Sequence, residues 1–372
     1  MATARDDGRR ETTALRAWLP RLAAANPAHP TLVDATGGTT LDAAALWAAV
    51  RAAAAKLRAT GLGPGDRLGI AASRHVETVV WILAAVEAGV GYVPFDLDYP
   101  PARLQAMADD AAPRAFVGSE AALAALARVL PDLPRLERPA PRVAVHAAGP
   151  DLAYVLFTSG SSGRPKGVAM GEGPIARLIH WQATHPRLGQ PARTLLFSPF
   201  SFDVHVQELF GALATGGSLV LVDDATRRDP AALAAAITRH DVERLYLPYV
   251  ALQMLADSAD APTMRLRDVI SAGEQLVLTP AIRALFERCP DARLHNHYGP
   301  TETHVVTAHT LPDAVADWPA IAAIGTALPH VRLLPGSAGE GDGVELRFGG
   351  DCLAHGYLDR PELEADRFVL LE

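Results

Sequence analysis

Cysteine is scarce in this sequence, and no long apolar run is free of charge. Cys289 and Cys352 are the only cysteines among 372 residues, which excludes a disulfide framework and a zinc site built from thiolates. The most apolar stretch, residues 76–93, contains Glu77 and Glu87, and the polar N-terminus lacks an apolar signal core. We therefore expect no membrane span and no export signal, and a cytoplasmic location.

Positive charge is also limited. The chain has 34 lysine and arginine residues against 42 aspartate and glutamate residues, a formal net charge of −8. This balance disfavours a broad surface for nucleic acid. Hydrophobic residues make up 49% of the chain and charged residues 20%, which are the proportions of a globular protein with a packed core.

Short β-rich runs alternate with alanine- and leucine-rich segments at helical spacing. Strands are predicted for RLGIAAS, RAFVGS, AYVLFT, TLLFSPF, SLVLVD, RLYLP and DVISAG, and helices for segments such as LDAAALWAAVRAAAAKLRA and PAALAAAITRH. This alternation is typical of an α/β fold with doubly wound, largely parallel sheets and flanking helices.

Two segments rich in proline or glycine suggest where the chain divides into subdomains. The proline-rich stretch 130–143 predicts an extended surface connection, and PGSAGEGDG at 335–343 predicts a turn between short strands. We therefore expect two related subdomains, approximately 1–140 and 141–325, followed by a small β unit at 326–372.

The segment LFTSGSSGRPKGV, residues 156–168, runs from an apolar strand into a loop rich in glycine and hydroxyl groups and closed by Lys166. Glycines let backbone N–H groups approach an anion, hydroxyl groups add donors, and the lysine adds positive charge. A Walker A loop is disfavoured because Lys166 lies between Pro165 and Gly167. From these residues alone, the loop is either a phosphate site or a flexible turn.

Two further segments carry polar groups that allow two interpretations each. Asp203 precedes a predicted helix and is either its N-terminal cap or the partner of a bound cation. The run NHYGPTE, residues 296–302, is either a strand that ends in a Gly-Pro turn or a site whose Glu302 holds a hard cation such as Mg²⁺.

Together these segments resemble the adenylation domains of nonribosomal peptide synthetases, within the adenylate-forming superfamily. The pattern Thr-Ser-Gly-x-x-Gly-x-Pro-Lys-Gly is specific to that superfamily. Further matches follow in the same order, namely EAGVGYVPFDLDYPPARL at 87–104, FSFDVHVQELFGAL at 200–213, NHYGPTETHV at 296–305 and GDCLAHGYLDRPELEADRF at 350–368. The resemblance covers essentially the whole chain. It implies the N-terminal fold of adenylate-forming enzymes and ATP- and Mg²⁺-dependent activation of an amino acid as aminoacyl-AMP.

The resemblance assigns nucleotide-binding residues one position at a time. Tyr298 would stack on adenine, Asn296 would lie near the adenine amino edge, and Thr301 would contact the α-phosphate. Lys166, Thr301 and Glu302 are the expected catalytic residues, and Glu302 is the expected metal ligand. The expected nucleotide-binding set is Thr158, Ser159, Gly160, Ser161, Ser162, Gly163, Lys166, Gly273, Glu274, Asn296, Tyr298, Gly299 and Thr301.

The resemblance also implies a pocket for the substrate side chain. Asp203 would receive the α-ammonium group, which distinguishes amino acids from fatty or aryl acids. The expected pocket residues resemble those of proline-activating domains and are Asp203, Val204, Gln207, Tyr246, Ile270, Ala272, His297, Val305 and Val306. His205 stands where a small serine is often found and could reshape the pocket floor. Pipecolate or a substituted proline is therefore an alternative to L-proline, and an ordinary core role is the alternative for each apolar residue.

Members of the resembled family continue past RPELEADRF into a ribose-binding aspartate, a hinge and a C-terminal lid domain with a catalytic lysine. None of these has a counterpart before Glu372. We therefore expect this chain alone to bind its substrates but to catalyse adenylation weakly or not at all. A phosphopantetheinyl carrier protein is the expected acceptor by analogy. The competing hypotheses are a naturally shortened, non-catalytic binding protein, and an acyl-CoA or aryl-acid ligase, which Asp203 disfavours.

The remaining histidines show no clustering with acidic residues or cysteines along the sequence. We predict that they are structural or surface residues; they include His75, His180, His185, His240 and His295. Arg227 and Arg228 are predicted to lie in a solvated turn, with a carrier-protein contact as the alternative.

Overall fold

The computed structural model describes residues 15–159, 164–258, 264–338 and 344–369. Its strands are β1 (Pro30–Asp34), β2 (Thr40–Asp42), β3 (Arg67–Ala72), β4 (Gly91–Asp96), β5 (Ala115–Val117), β6 (Leu152–Thr158), β7 (Lys166–Gly171), β8 (Arg193–Leu196), β9 (Ser218–Leu221), β10 (Arg244–Leu247), β11 (Asp268–Ala272), β12 (Arg293–Tyr298), β13 (Thr307–Thr310), β14 (Thr326–Ala327), β15 (Val331–Ala338), β16 (Val344–Gly350) and β17 (Gly356–Tyr357).

The α-helices lie between these strands, with short 3-10 helices at Leu15–Ala17 and Val315–Asp317. They are α1 (Trp18–Ala25), α2 (Ala43–Ala59), α3 (Val76–Ala88), α4 (Pro101–Ala111), α5 (Glu120–Ala127), α6 (Glu172–Thr184), α7 (Val204–Thr215), α8 (Asp224–Arg228), α9 (Pro230–Arg239), α10 (Tyr249–Asp257), α11 (Pro280–Arg288) and α12 (Pro361–Arg367). Each strand and helix that we singled out from the sequence is present.

Most of the strands belong to two large sheets. The first has the order β14-β13-β12-β11-β10-β8-β9-β1-β2, the second has the order β17-β7-β6-β4-β3-β5, and β15 and β16 form a separate pair. The central pairs of both large sheets are parallel. Antiparallel pairs lie towards the edges. The predicted α/β architecture with largely parallel sheets and flanking helices is confirmed.

The two sheets share one hydrophobic core. Leu32 and Leu219 of the first sheet and Leu68 and Tyr154 of the second belong to the same buried cluster, together with apolar side chains of α2, α3 and α7. Strands β3, β4 and β6 are buried along almost their whole length, because a parallel sheet is covered by helices or by another layer on both faces.

The expected boundary near residue 140 does not coincide with the division of strands between the sheets. Strand β1 precedes it but pairs with β9 of the first sheet, and β6 follows it but pairs with β4 of the second. The proline-rich stretch also packs on the fold, since the Phe116 N–H donates to the Pro134 carbonyl at 2.9 Å. Pairing between strands that are distant in sequence leaves no local signal, so composition could not reveal this interleaving.

The C-terminal strands take different places. Strands β15 and β16 pair antiparallel with each other, whereas β17 adds to the edge of the second sheet beside β7. Residues 335–338 of the predicted turn belong to β15, so the turn prediction is wrong for them, and residues 339–343 lie outside the described residues. In the part of the chain that the structure describes, no helix has the length and apolar character needed to cross a bilayer.

Candidate functional site

A cavity of about 540 Å³ lies at the carboxyl ends of the central strands of the first sheet. Strands β8, β10, β11 and β12 are parallel neighbours, so their carboxyl ends meet at one edge, which is the usual ligand-binding position in open α/β sheets. Ser198, Pro248, Gly273 and Gly299 follow these strands and line the cavity.

Most of the residues expected in the side-chain pocket also line this cavity, namely Asp203, Val204, Tyr246, Ile270, Ala272, His297 and Val305. Strand register explains why several of them converge. Tyr246 pairs with Ile270, and Ala272 pairs with His297. Paired residues, and residues two apart on one strand, project from the same face of a sheet, so these four side chains point to one side.

Two of the expected pocket residues lie behind the cavity wall. Gln207 is 1% exposed, and its Nε2 donates to Oε1 of Gln182 at 3.1 Å. Val306 is buried in a small core cluster with Leu178 and Leu328. These side chains support the wall from the protein interior and do not line the cavity.

Asp203 does not cap helix α7. Its side chain makes no capping hydrogen bond, and its backbone is already helical, with φ −61° and ψ −27°. Asp223, by contrast, has an extended backbone, and its side chain accepts a hydrogen bond from the Thr226 N–H as the cap of α8. The capping interpretation of Asp203 is therefore wrong. Its carboxylate faces the cavity and forms no ion pair with any residue in the described ranges.

Lys166, Glu302 and Tyr357 form a compact polar cluster. The Lys166 ammonium lies 2.7 Å from Oε1 of Glu302, and the Tyr357 hydroxyl donates to the same oxygen at 2.5 Å. The ammonium also lies 4.6 Å from the centre of the Tyr357 ring. Tyr357 reaches this position because β17 pairs with β7, opposite Val168.

Glu302 carries a negative charge at neutral pH. Burial raises the pKa of this carboxyl, but the hydrogen bonds from Lys166 and Tyr357 outweigh burial and hold the pKa below its usual value. Burial raises the pKa of the Tyr357 hydroxyl, and the adjacent carboxylate raises it further, so Tyr357 remains a donor. The sequence motifs assign no role to Tyr357, although it lies within the matched segment 350–368.

The expected phosphate loop joins β6 to β7. Thr158 pairs with Lys166 across these antiparallel strands, so the loop leaves and re-enters the sheet at neighbouring positions. The Thr158 Oγ1 is buried and has no hydrogen-bond partner among the described residues, as expected of a group that binds a ligand. Ser159 is described, whereas the expected residues Gly160, Ser161, Ser162 and Gly163 lie outside the described residues.

The expected nucleotide residues of the β11 and β12 ends divide into two groups. Gly273, Glu274, Gly299 and Thr301 line the cavity. Gly273 has a φ of +88°, and a Cβ built there meets nothing within 4 Å. Its backbone is therefore open to a ligand.

Asn296 and Tyr298 do not line the cavity. Asn296 is buried, and its Nδ2 donates to the Ala323 carbonyl at 2.9 Å. Tyr298 is 39% exposed, with its ring centre 6.0 Å from that of Phe348. The Tyr298 side chain is thus partly exposed, whereas the Asn296 amide is already engaged.

A family model and several known proteins match this chain. The model of the AMP-binding enzyme family matches residues 19–358. The chain belongs to the AMP-binding enzyme family. It is 33% identical over 333 residues to tyrocidine synthase 3 of Brevibacillus parabrevis, covering 84% of this chain and 5% of that protein.

Other relatives cover more of the chain. Phenyloxazoline synthase MbtB of Mycobacterium sp. (strain MCS) is 33% identical over 378 residues, 97% of this chain and 31% of that protein. Enterobactin synthase component F of Shigella flexneri is 33% identical over 384 residues, 96% of this chain and 29% of that protein. The chain thus spans less than a third of the length of these relatives.

His205 lies in the core of this AMP-binding enzyme and does not form the pocket floor. Its Nδ1–H donates to the Phe202 carbonyl, and its Nε2 accepts a hydrogen bond from the Tyr92 hydroxyl at 2.8 Å. The ring also packs against Phe200. The expectation that His205 reshapes the pocket floor is therefore wrong, because the first turn of α7 directs this side chain away from Asp203.

We expect His205 to make the stability of the protein depend on pH. Burial lowers the pKa of His205 to about 4 from a usual value near 6.5. Between about pH 6.5 and pH 4, His205 is protonated in the unfolded chain but neutral in the folded protein. The free energy of unfolding therefore falls as the pH drops through this range. Between pH 7.5 and 5 this group should contribute a loss of about 2 kcal/mol.

Urea unfolding at both pH values measures this loss. His205→Asn retains an N–H donor but does not titrate, so its loss between the two pH values should be smaller by about 2 kcal/mol than that of the unchanged protein. Equal losses in the two proteins would contradict the assignment.

A second cavity, of about 430 Å³, lies behind His297, which lines both cavities. Four aromatic side chains line this cavity and contact one another in a closed cycle, with centroid separations between 5.6 and 6.5 Å. They are Trp181, His185, His295 and His297. No set of three potential ligands among the described residues could hold a metal ion. Sequence spacing missed this cluster because α6 and β12 are brought together only by folding.

Arg227 is a further cavity residue that sequence reasoning missed. It lies in helix α8, and its side chain is 16% exposed. The guanidinium lies 5.5 Å from the centre of the Phe197 ring and lines the cavity. The prediction of a solvated turn is wrong for Arg227, since α8 directs its side chain back onto the end of β8.

Proposed function

We propose that this chain activates an amino acid with ATP and Mg²⁺ to give aminoacyl-AMP and pyrophosphate, and that L-proline is its preferred substrate. The observation that carries the proposal is Asp203, whose side chain caps no helix and which lines the candidate cavity together with the apolar residues Val204, Ile270 and Val305. The α-ammonium group of an amino acid is the natural partner for such a carboxylate. Fatty and aryl acids lack that group.

The residues present fit a nucleotide beside the amino acid. The open backbone at Gly273 provides room for it, and the buried Thr158 hydroxyl, which has no partner among the described residues, provides a hydrogen-bonding group. We propose that Thr301 and Lys166 contact the phosphates and that Glu302 is a ligand for Mg²⁺, a cation that prefers carboxylate and phosphate oxygens. When bound, Mg²⁺ supplies neutralisation of phosphate charge.

In the proposed reaction, a carboxylate oxygen of the amino acid forms a bond to the α-phosphorus of ATP. The bond between that phosphorus and the bridging oxygen breaks, and pyrophosphate leaves with the electron pair. Asp203 holds the ammonium group and thereby positions the carboxylate within the cavity that Thr301 also lines. Such positioning and electrostatic stabilisation account for much of catalysis in reactions of this kind.

Proline is proposed because the walls near Asp203 are apolar and compact. Val204, Ile270 and Val305 line the cavity together with the buried Tyr246. With His205 directed into the core, the reason for expecting a reshaped pocket floor is removed. Pipecolate differs from proline by one methylene, a difference that pockets distinguish by only about 1–3 kcal/mol, so ring size has to be measured.

We further propose that the activated amino acid passes to the thiol of a phosphopantetheinyl carrier protein. Support for this acceptor comes from the relatives, whose names include enterobactin synthase component F and tyrocidine synthase 3. The acceptor would act after aminoacyl-AMP has formed.

Two measurements test the proposed function. Calorimetry on the 372-residue chain should show binding of proline and of a nonhydrolysable adenylate mimic. Exchange of pyrophosphate into ATP, with the family's C-terminal domain added, should rank proline above leucine and phenylalanine. Binding without exchange would favour a non-catalytic binding protein, and exchange driven by an aryl acid would favour the ligase alternative. Exchange that ranks leucine or phenylalanine above proline would refute the proline pocket.

The His297 side chain should set the size of the accepted substrate. It is 2% exposed, and neither ring nitrogen has a partner among the described residues. His297→Ala would join the cavities of about 540 and 430 Å³. We expect phenylalanine to bind about tenfold more tightly than to the unchanged protein, and proline about tenfold more weakly, because the smaller ligand leaves a void.

His309 offers a matched control, because it lines the second cavity alone. His309→Ala should leave the preference between proline and phenylalanine unchanged in the same calorimetric titrations. An unchanged preference in His297→Ala would show that His297 does not separate the two cavities.

A further inference from the structure

A buried carboxylate and a buried guanidinium enclose the backbone that leads from β8 to Asp203. Glu208 is 0% exposed and lies in α7. Its Oε1 accepts hydrogen bonds from the backbone N–H groups of Phe197 and Ser198 at 3.2 and 3.0 Å. Charged side chains are almost never buried to this extent without partners of this kind.

Arg74 binds the opposite polar groups of the same two residues. Its Nη1 donates to the carbonyls of Phe197 and Ser198 at 3.2 and 3.1 Å, and its Nε donates to the Val222 carbonyl at 2.7 Å. The N–H and C=O groups of Phe197 and Ser198 are thus satisfied by one carboxylate and one guanidinium. Beyond the end of β8, these side chains take the place of neighbouring strands.

The segment held in this way forms a wall of the candidate site. Phe197, Ser198, Pro199, Phe202 and Asp203 all line the cavity. Because Glu208 belongs to the helix that begins after Asp203, its hydrogen bonds tie the start of that helix to the end of β8. The separation between Ser198 and the Asp203 carboxylate therefore depends on Glu208.

Burial raises the pKa of Glu208 to about 7, against the opposing effects of the Ser198 hydrogen bond and the Arg74 charge. The backbone N–H groups of Phe197 and Ser198 both donate to its carboxyl oxygens, and these bonds favour the carboxylate form.

We propose that Glu208 and Arg74 are positioning residues for amino-acid recognition. They fix the backbone of Phe197 and Ser198 so that Asp203 presents its carboxylate to the α-ammonium group of the substrate. This inference rests on the proposed function. It adds two side chains that do not line the cavity, and it predicts that they act on amino-acid binding more than on nucleotide binding.

Glu208→Gln tests the proposal, with the exposed Glu287→Gln as the matched control. Calorimetry would measure the affinity for L-proline and for a nonhydrolysable ATP analogue. Hydrogen exchange followed by mass spectrometry would report on residues 197–203. We expect Glu208→Gln to weaken proline binding about tenfold, to change analogue binding less than twofold, and to speed exchange selectively at 197–203. If this variant does not fold, Arg74→Lys gives the same comparison, because lysine keeps the charge but loses the planar fork of donors.

The outcomes separate a positioning role from a structural one. Parallel weakening of both ligands with faster exchange throughout the chain would overturn the proposal in favour of a purely structural pair. Unchanged proline binding and unchanged exchange at 197–203 would also overturn it. An unchanged protein that binds the analogue but none of proline, leucine and phenylalanine would reject the proposed function and this inference with it, a result distinct from the failure of Glu208→Gln alone.

Discussion

Asp203→Asn should weaken proline binding by about 100-fold or more while leaving binding of an ATP analogue nearly unchanged. The substitution keeps the shape of the side chain but removes the charge that we propose for the α-ammonium group. A charge left without its partner in a partly buried site typically costs about 2–5 kcal/mol. Because the Asp203 side chain makes no capping hydrogen bond, the loss of charge should not destabilise α7.

Calorimetry with proline and the analogue measures both affinities. Asp257→Asn is the matched control, since this exposed carboxylate accepts a hydrogen bond from Gln253 within its own helix and lies outside the cavity lining. Proline binding that survives Asp203→Asn unchanged would contradict the ammonium site. It would also revive the acyl-CoA or aryl-acid ligase alternative.

Gly299→Ala should both destabilise the protein and abolish binding of the nucleotide analogue. A Cβ built on Gly299 would lie 1.7 Å from the His304 carbonyl oxygen, so the backbone itself would have to move. His304 already has a φ of +57°, and the turn returns to the strand with the Val306 N–H donating to the Tyr298 carbonyl at 2.8 Å. We expect a loss of about 3 kcal/mol or more and a fall in melting temperature of roughly 5 °C or more.

Thermal unfolding and calorimetry together test this expectation. Gly173→Ala is the matched control, because a Cβ built there meets nothing within 4 Å and alanine favours a helix such as α6. Its melting temperature should stay the same or rise slightly. Normal stability and normal analogue binding in Gly299→Ala would show that the turn between Gly299 and His304 can relax, contrary to its close backbone contact.

Local sequence was sufficient to predict site residues that lie on a strand or in the turn directly after it. The predicted strands around Tyr246, Ile270 and Ala272 are present, and these residues line one cavity. Parallel strands bring their carboxyl ends to a common edge, so knowing the strands was enough to predict that the residues converge.

Local sequence was insufficient where burial decides which way a side chain points. Gln207 belongs to the same motif as Asp203, and Val306 directly follows the cavity residue Val305, but both pack behind the wall. Arg227 was predicted to be solvated and instead lines the cavity. Sequence spacing fixes which residues lie near the end of a strand, whereas the packing of α7, α8 and neighbouring elements fixes which of them face the ligand.

The sequence around Asp203, taken alone, was compatible with two roles for this residue: an N-terminal helix cap or the partner of a bound cation. The motif that contains Asp203 and the motifs around Lys166 and Glu302 occur along the chain in the same order as in the resembled family. These motifs were therefore sufficient to predict the family to which the chain belongs. Only the tertiary structure removed the capping alternative, joined Tyr357 to the Lys166–Glu302 pair, and placed Glu208 and Arg74 around the backbone behind Asp203. These contacts join segments that are far apart in sequence, and their energy depends on burial and distance, which appear only when the chain has folded.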